Sequence, residues 1–380
     1  MESLKKFFSL NIMVYVFGII LMMFPLFDFA IASMAVSLFC ALNIVKNGIE
    51  FNRVSEFSFF YWYLIIFSLF FSPFSEVFTR LESSLFLGIV PIVLASTTFS
   101  KQAFTSIFFV YVGVILIESM LVLSLLGSKN DVFEGGLIPL INVDFHGTYF
   151  SYQVFVAILI CYYLITDRFK WLLIIFFSII ILVFQKKIAV IVLLLWGSVR
   201  LFKLIKGKLF WLIPIAFIGL FSIKGSFKKI STAIDHYSNN ELTGTDQVRL
   251  KLLNGAFEGF LEHPLFGRGV VEHSISFAKY NVHHLGVWAE SYNTHNYFFF
   301  VLLSGGIVAL FFFLLPFIRT IIDCKLSNKL LVDFLVITLI FNLTESIFDR
   351  FYGVITFSIF LSLFNKFQVE KKTDLEEFKC

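Results

Sequence analysis

Residues 296–318 read NYFFFVLLSGGIVALFFFLLPFI, a run without one charged side chain. Crossing roughly 30 Å of hydrocarbon takes about 20 apolar residues at helical rise. This run is long enough to span a bilayer. Others of its kind lie near 8–27, 28–45, 56–73, 84–100, 103–127, 148–166, 171–185, 188–202, 209–223, 330–345 and 351–366. The first follows Lys5 and Lys6 as a signal peptide would. It has no small-residue cleavage site and runs straight into the next apolar stretch, so it reads as a retained helix. Composition agrees: of 380 residues 58% are apolar and 15% charged, and mean hydropathy is +0.88. An ordinary soluble chain carries about 25% charged residues. A soluble fold could not cover its surface with so few charges. Disorder, a disulfide scaffold and nucleic-acid binding are excluded on the same grounds, and a net charge of +4 calls for no polyanionic partner. The fold class is an all-α polytopic membrane protein with about twelve transmembrane helices.

Charge sets the orientation. With the amino terminus in the cytoplasm and twelve alternating spans, eighteen lysines and arginines fall on the inner side, from Lys5 and Lys6 to Lys379. The short outer loops hold only Arg80, Lys129, Lys186, Lys187 and Arg350. That asymmetry satisfies the positive-inside rule and puts both termini in the cytoplasm. The 54 phenylalanines read as lipid-facing filler, without functional weight. Cys40, Cys161, Cys324 and Cys380 are scattered and imply neither a disulfide nor a metal site.

One segment breaks the apolar pattern. Residues 224–294 lie on the outer side between the ninth and tenth spans, with seven basic and seven acidic residues. His236, His263, His273, His283, His284 and His295 lie in it or at its edge. Loops of this length are commonly functional. The segment is expected to form a small helical subdomain. Thr245-Asp246 can cap a helix running to about Glu262, with Val248, Leu252, Leu253, Ala256, Phe257 and Phe260 on its apolar face. His263-Pro264 ends it, and Gly267 and Gly269 turn the chain around Arg268. The organisation is therefore spans one to nine over 1–223, an outer subdomain over 224–294, spans ten to twelve over 295–367 and a short, charged, disordered tail over 368–380.

Several residues could carry chemistry. His295 stands where the polar segment meets span ten; the positive field of a helix amino terminus favours a neutral, proton-accepting imidazole there. It could equally cap the helix together with Asn296. Gly305-Gly306, further along, reads first as close helix packing. Lys186 and Lys187 form an outer turn where cations are not expected; they suit a phosphate-bearing ligand or snorkel to lipid phosphates. Arg249 and Arg268 flank the proposed loop helix and present forks suited to pyrophosphate, or pair with nearby carboxylates. Glu345, at the outer end of span eleven with Asp349 and Arg350, is either functional or part of an internal ion cluster. His146, entering span six, is open in the same way. No P-loop, G-x-G-x-x-G, H-E-x-x-H or Cys-x-x-Cys occurs, which excludes ATP-driven transport within this chain.

Four stretches together resemble the O-antigen ligase and O-antigen polymerase superfamily. Arg249 through Gly255-Ala256 to His263-Pro264-Leu265-Phe266-Gly267-Arg268-Gly269 is similar to its arginine, helix and PLFGxG passage. His295-Asn296, nine residues and Gly306 resemble H-[NSQ]-x9-G-x-x-G, with Ala309 in place of the last glycine. Phe184-Gln185-Lys186-Lys187-Ile188-Ala189 resembles a basic outer turn in which many members carry Ser-Arg. Leu343-Thr344-Glu345-Ser346 with Gly353 resembles the late ES…G helix. The likeness is confined largely to 245–360.

The resemblance implies a metal-independent, cofactor-free glycosyltransferase of the GT-C type in the bacterial inner membrane. Its donor would be a glycan on undecaprenyl pyrophosphate at the outer leaflet, and its acceptor lipid A core (a ligase) or another lipid-linked glycan (a polymerase). His295 would handle the acceptor proton. Arg249, Arg268, Lys186 and Lys187 would hold pyrophosphate, with His146 and Glu345 also on the substrate. The competing reading is a transporter or flippase of lipid-linked sugars. A carrier should place ionisable groups near the bilayer midplane and often shows inverted repeats; the sequence keeps its ionisable groups at the outer surface and shows no repeat.

Overall fold

The computed structural model describes residues 29–49, 51–97, 101–126, 137–138, 143–144, 147–184, 186–204, 245–271 and 294–377. Among these the chain is helical, apart from a two-residue antiparallel ladder pairing Leu137 with Asp144 and Ile138 with Val143. In chain order the helices are α1 (Phe29–Asn47), α2 (Glu56–Ser68), α3 (Phe74–Leu81), α4 (Leu85–Ser96), α5 (Lys101–Leu126) and α6 (Gly147–Leu164). There follow α7 (Phe169–Phe184), α8 (Lys187–Leu204), α9 (Thr245–Glu262), α10 (Tyr297–Cys324), α11 (Lys329–Asn342) and α12 (Phe351–Glu377). Every expected span that falls on described residues coincides with one of these helices; those at 8–27 and 209–223 lie outside them.

Among the described residues, four segments are long and apolar enough to cross a membrane: Phe74–Ser96, Ala103–Ser124, Gly147–Leu164 and Tyr297–Cys324. Shorter apolar helices cover Val36–Val45, Phe169–Phe184 and Phe351–Phe367. The protein is a multi-pass membrane protein.

Two boundaries differ from the sequence reading. α3 was not expected, because Glu76 and Arg80 make Phe74–Leu81 amphipathic rather than uniformly apolar. The end assigned to a disordered tail continues as helix to Glu377; its run of Lys, Gln, Glu and Leu contains no Gly or Pro to stop it.

α6 is the central helix. Every residue from Gly147 to Cys161 is buried, as expected of a helix apolar on all sides. Polar side chains tie it to its neighbours: the hydroxyls of Tyr152 and Thr338 lie 2.8 Å apart, and the Tyr111 hydroxyl donates to the Gln153 carbonyl at 3.0 Å. Such bonds, together with close packing, hold helices together where lipid offers no hydrophobic drive between them. The phenylalanines do more than fill the lipid face. Phe57, Phe317, Phe348 and Phe357 form an aromatic cluster, with ring centroids 4.9 Å apart for Phe57–Phe317 and 4.7 Å for Phe348–Phe357. Edge-to-face pairs of this kind add about 0.5–1.5 kcal/mol beyond burial.

Ionisable groups are also not confined to one surface. Glu118, the eighteenth residue of the 26 in α5, is 3% exposed, and neither carboxylate oxygen makes a hydrogen bond. Near the far end of α6 from Gly147, Arg200 pairs with Asp333, which also accepts from Tyr163 (2.8 Å) and Trp196 (2.7 Å). The Arg200 guanidinium lies over the rings of Tyr162, Tyr163 and Trp196 at 5.5–5.7 Å. With its charge paired and its faces covered by aromatics, this cluster is a clamp between α6, α8 and α11.

The deciding local feature is a break in α10. Gly306 takes φ 65 and ψ −161, so the helical hydrogen-bond ladder fails there. Residues 264–269 are spliced into the gap. Arg268 N donates to Leu303 O at 3.2 Å and Gly269 N to Ser304 O at 2.8 Å. Ile307 N donates to Pro264 O at 2.9 Å and Val308 N to Leu265 O at 3.2 Å. In an unbroken helix those two carbonyls would have bonded those two amides. The inserted segment satisfies all four groups, as buried backbone requires. On its other side Val270 N donates to the Ser68 hydroxyl at 3.0 Å.

Candidate functional site

α9 packs on the first half of α10 through a strip of small and buried residues. Leu252 and Ala256 are fully buried against Leu303, and Gly255 and Gly259 lie on the same side. Phe257, expected on that face, is 49% exposed. The 252, 255, 256, 259 spacing lets the helices approach closely, and a phenylalanine on that strip would hold them apart. The packing brings Arg249, in the second turn of α9, over the turn that follows α11.

That turn carries Glu345. The Asn296 amide donates to Leu343 O at 2.9 Å, and the Tyr149 hydroxyl to Ser346 O at 3.2 Å. The Ser83 and Ser84 hydroxyls hold the Asp349 and Phe348 carbonyls. Gly353 has room for no Cβ, because the Ile347 carbonyl lies where one would stand. Three segments distant in sequence thus fix one short turn.

His295 completes the cluster. Its φ is 47, the one positive value among the described non-glycine residues. A left-handed backbone at a non-glycine residue costs on the order of 1–3 kcal/mol and persists where surrounding contacts impose it. Here Thr294 Oγ1 donates to Asn296 O at 2.7 Å, and Asn296 Oδ1 accepts from Phe298 N and Phe299 N. Asn296 is therefore the helix cap, and His295 is left to point elsewhere. Its Nδ1 lies 3.5 Å from Glu345 Oε2, while Arg249 reaches Glu345 Oε1 at 3.1 Å. The Glu345 side chain is 7% exposed, His295 29% and Arg249 43%. One buried carboxylate stands between a cation and an imidazole, each open to solvent on its other side.

The other expected residues are placed as follows. Lys186 leans on the start of α6: a Cβ at Gly147 would stand 2.6 Å from its Cε. Tyr149, two residues on, bonds the Glu345 turn, so Lys186 lies at the same end of the bundle. Lys187 is exposed at the first residue of α8. Arg268 is held by its backbone in the α10 break, and its side chain pairs with Glu262. Arg249 and Glu262 are thirteen residues apart on α9, about 20 Å along its axis, so Arg268 does not join the Arg249–Glu345–His295 cluster. His146 lies outside the described residues. Sequence reasoning missed Glu345 as the partner of both His295 and Arg249; opposite charge was the only signal, and nothing in the spacing selects those partners.

Residues 153–314 match a family model described as O-Antigen ligase. The matched stretch is similar to the O-antigen ligase family and supports membership of that superfamily. The match takes in Lys186, Lys187, Arg249, Arg268 and His295 and stops short of Glu345. The likeness indicates a ligase- or polymerase-type function in polysaccharide biosynthesis. No curated protein matches the chain.

Proposed function

We propose that this protein transfers a glycan from undecaprenyl pyrophosphate to lipid A core, as a ligase, or to another lipid-linked glycan, as a polymerase. It acts at the outer face of a bacterial inner membrane, as a GT-C-type enzyme of twelve spans with both termini cytoplasmic and an outer subdomain over 224–294. The observation that carries this reading is the Arg249–Glu345–His295 cluster, a solvent-accessible cation and a partly exposed imidazole meeting on one carboxylate at the end of the bundle.

The chemistry is a direct displacement at the anomeric carbon. The acceptor hydroxyl gives its proton to His295 Nε2 as its oxygen bonds the anomeric carbon. The bond from that carbon to the pyrophosphate oxygen breaks, and undecaprenyl pyrophosphate leaves. Charge grows on the departing oxygen, where Arg249, with Lys186 and Lys187 as further cations, stabilises it. Arg268 and His146 belong to the wider substrate surface. The histidines of the outer segment show no metal-ligand spacing, His283 and His284 being adjacent, so transfer is expected to persist in excess chelator; loss in EDTA with rescue by one metal would refute this.

Gel analysis of lipopolysaccharide from a deletion strain tests the function. A missing ligase leaves bare core with polymer stranded on the carrier lipid, and a missing polymerase leaves core bearing one repeat. An unchanged ladder overturns both. Loss of a flippase would instead trap the lipid-linked sugar at the inner leaflet.

The orientation has its own test. In a background lacking the four native cysteines, a membrane-impermeant thiol reagent applied to intact cells should label Ser238→Cys and spare Ser327→Cys. The reverse pattern would invert the topology and put the histidine cluster on the cytoplasmic side.

A further inference from the structure

We propose that Glu345 is a positioning residue for His295, and that Arg249 neutralises it until a donor pyrophosphate draws Arg249 away. The inference rests on the proposed transfer reaction and assigns Glu345 a role different from substrate contact. A carboxylate repels a pyrophosphate, and at 7% exposure its oxygens are turned into the protein rather than toward a ligand. Each oxygen faces a different partner: Oε1 meets Arg249 and Oε2 meets His295 Nδ1.

A buried carboxylate is costly unless paired. Arg249 meets that need from a side chain 43% exposed, so its guanidinium can turn toward an anion outside without repacking α9. Once it does, the carboxylate's charge is left beside the imidazole. At 3.5 Å the Glu345–His295 contact is within ion-pair range and longer than a good hydrogen bond, and contacts of this kind tighten when substrate binds. Nδ1 is shielded from solvent. An Nδ1–H donated to Glu345 places the lone pair on Nε2, the nitrogen that must accept the acceptor's proton, and the carboxylate then stabilises the imidazolium formed. The left-handed backbone at His295 and the Asn296 bond to Leu343 O hold the two residues in this relation.

Glu345→Gln is the decisive variant because it keeps shape and removes charge. Its amide N–H facing Nδ1 would favour the opposite tautomer, with the proton on Nε2. A wrong tautomer in a serine-protease triad costs about 10⁴ in kcat. With purified protein, undecaprenyl-pyrophosphate-linked glycan and acceptor, Glu345→Gln should lower kcat by ~10²–10⁴-fold. Donor KM should stay equal or fall, since Arg249 is released. Glu345→Asp, which keeps the charge, should recover part of kcat. In a His295→Ala background Glu345→Gln should change kcat by less than about twofold, because residues acting as one unit are not additive.

Wild-type kcat in Glu345→Gln overturns the proposal. So does a rise in donor KM that matches the fall in kcat, or a further large loss on top of His295→Ala. Failure of both Glu345→Gln and Glu345→Asp to accumulate as folded protein also overturns it, in favour of a structural ion pair. A fully active His295→Ala would instead remove the general base of the proposed function; an inactive His295→Ala beside an active Glu345→Gln removes this inference alone.

Discussion

Replacing His295 with alanine is expected to lower glycan transfer by roughly 10²–10⁴-fold, the usual worth of a general base, while carrier-lipid affinity stays close to wild type. The separation follows from geometry. His295 meets the protein through Nδ1 and Glu345, so its loss leaves the cations that would grip pyrophosphate in place. The fold should survive, because the cap of α10 is supplied by the Asn296 side chain and not by the imidazole. Arg249→Ala should behave differently, weakening donor binding as well as turnover, since a pyrophosphate contact exists both before and during reaction. Both quantities are measured on purified variants, with transfer rates and donor titrations side by side. A fully active His295→Ala would end the catalytic assignment, and unchanged donor affinity in Arg249→Ala would remove that residue from the pyrophosphate site.

Gly306→Val is expected to cost the protein its fold rather than its chemistry. At φ 65 and ψ −161 the backbone sits where side chains are essentially not tolerated, and a Cβ would overlap the Leu265 carbonyl and the Phe266 amide. Neither obstacle is a flexible side-chain tip that could yield. Strain of about 1–3 kcal/mol adds to four spliced backbone hydrogen bonds worth about 1 kcal/mol each. The sum rivals the 5–15 kcal/mol that holds a typical domain together. Detergent-solubilised Gly306→Val should therefore fail to accumulate, and Gly306→Ala should melt well below wild type. Gly197→Ala is the control: it lies in the regular helix α8 with nothing within 4 Å of a new Cβ, and it should be neutral or slightly stabilising. Wild-type melting of Gly306→Ala would mean that the break is not needed for folding.

The break also shows where sequence reading reaches its limit. The Gly305-Gly306 pair and the Pro264–Gly269 segment were each visible, the first as a packing site and the second as a turn. That they are halves of one hydrogen-bonded joint was not legible, because exchanged backbone bonds leave no mark in side-chain identity. The buried Glu118 and the Arg200–Asp333 clamp were missed for a related reason. One or two charges inside a long apolar run barely alter its hydropathy, and their depth depends on which neighbours surround the helix.

The sequence by itself determined the membrane class and, among the described residues, where the apolar helices fall. These follow from a one-dimensional quantity, the length of apolar runs against bilayer thickness. It also determined α9 to the residue, since Thr245-Asp246 starts that helix and His263-Pro264 stops it. Only the tertiary structure decided that His295, Arg249 and Glu345 meet, because they lie 46 and 50 residues apart along the chain and belong to three different packed elements. It decided equally that Arg268 stands apart from them. An ion pair or a proton path depends on distances of a few ångströms, and those distances are set by how helices pack across one another, through the glycine strip of α9, the kink at Gly306 and the turn held by Tyr149 and Asn296.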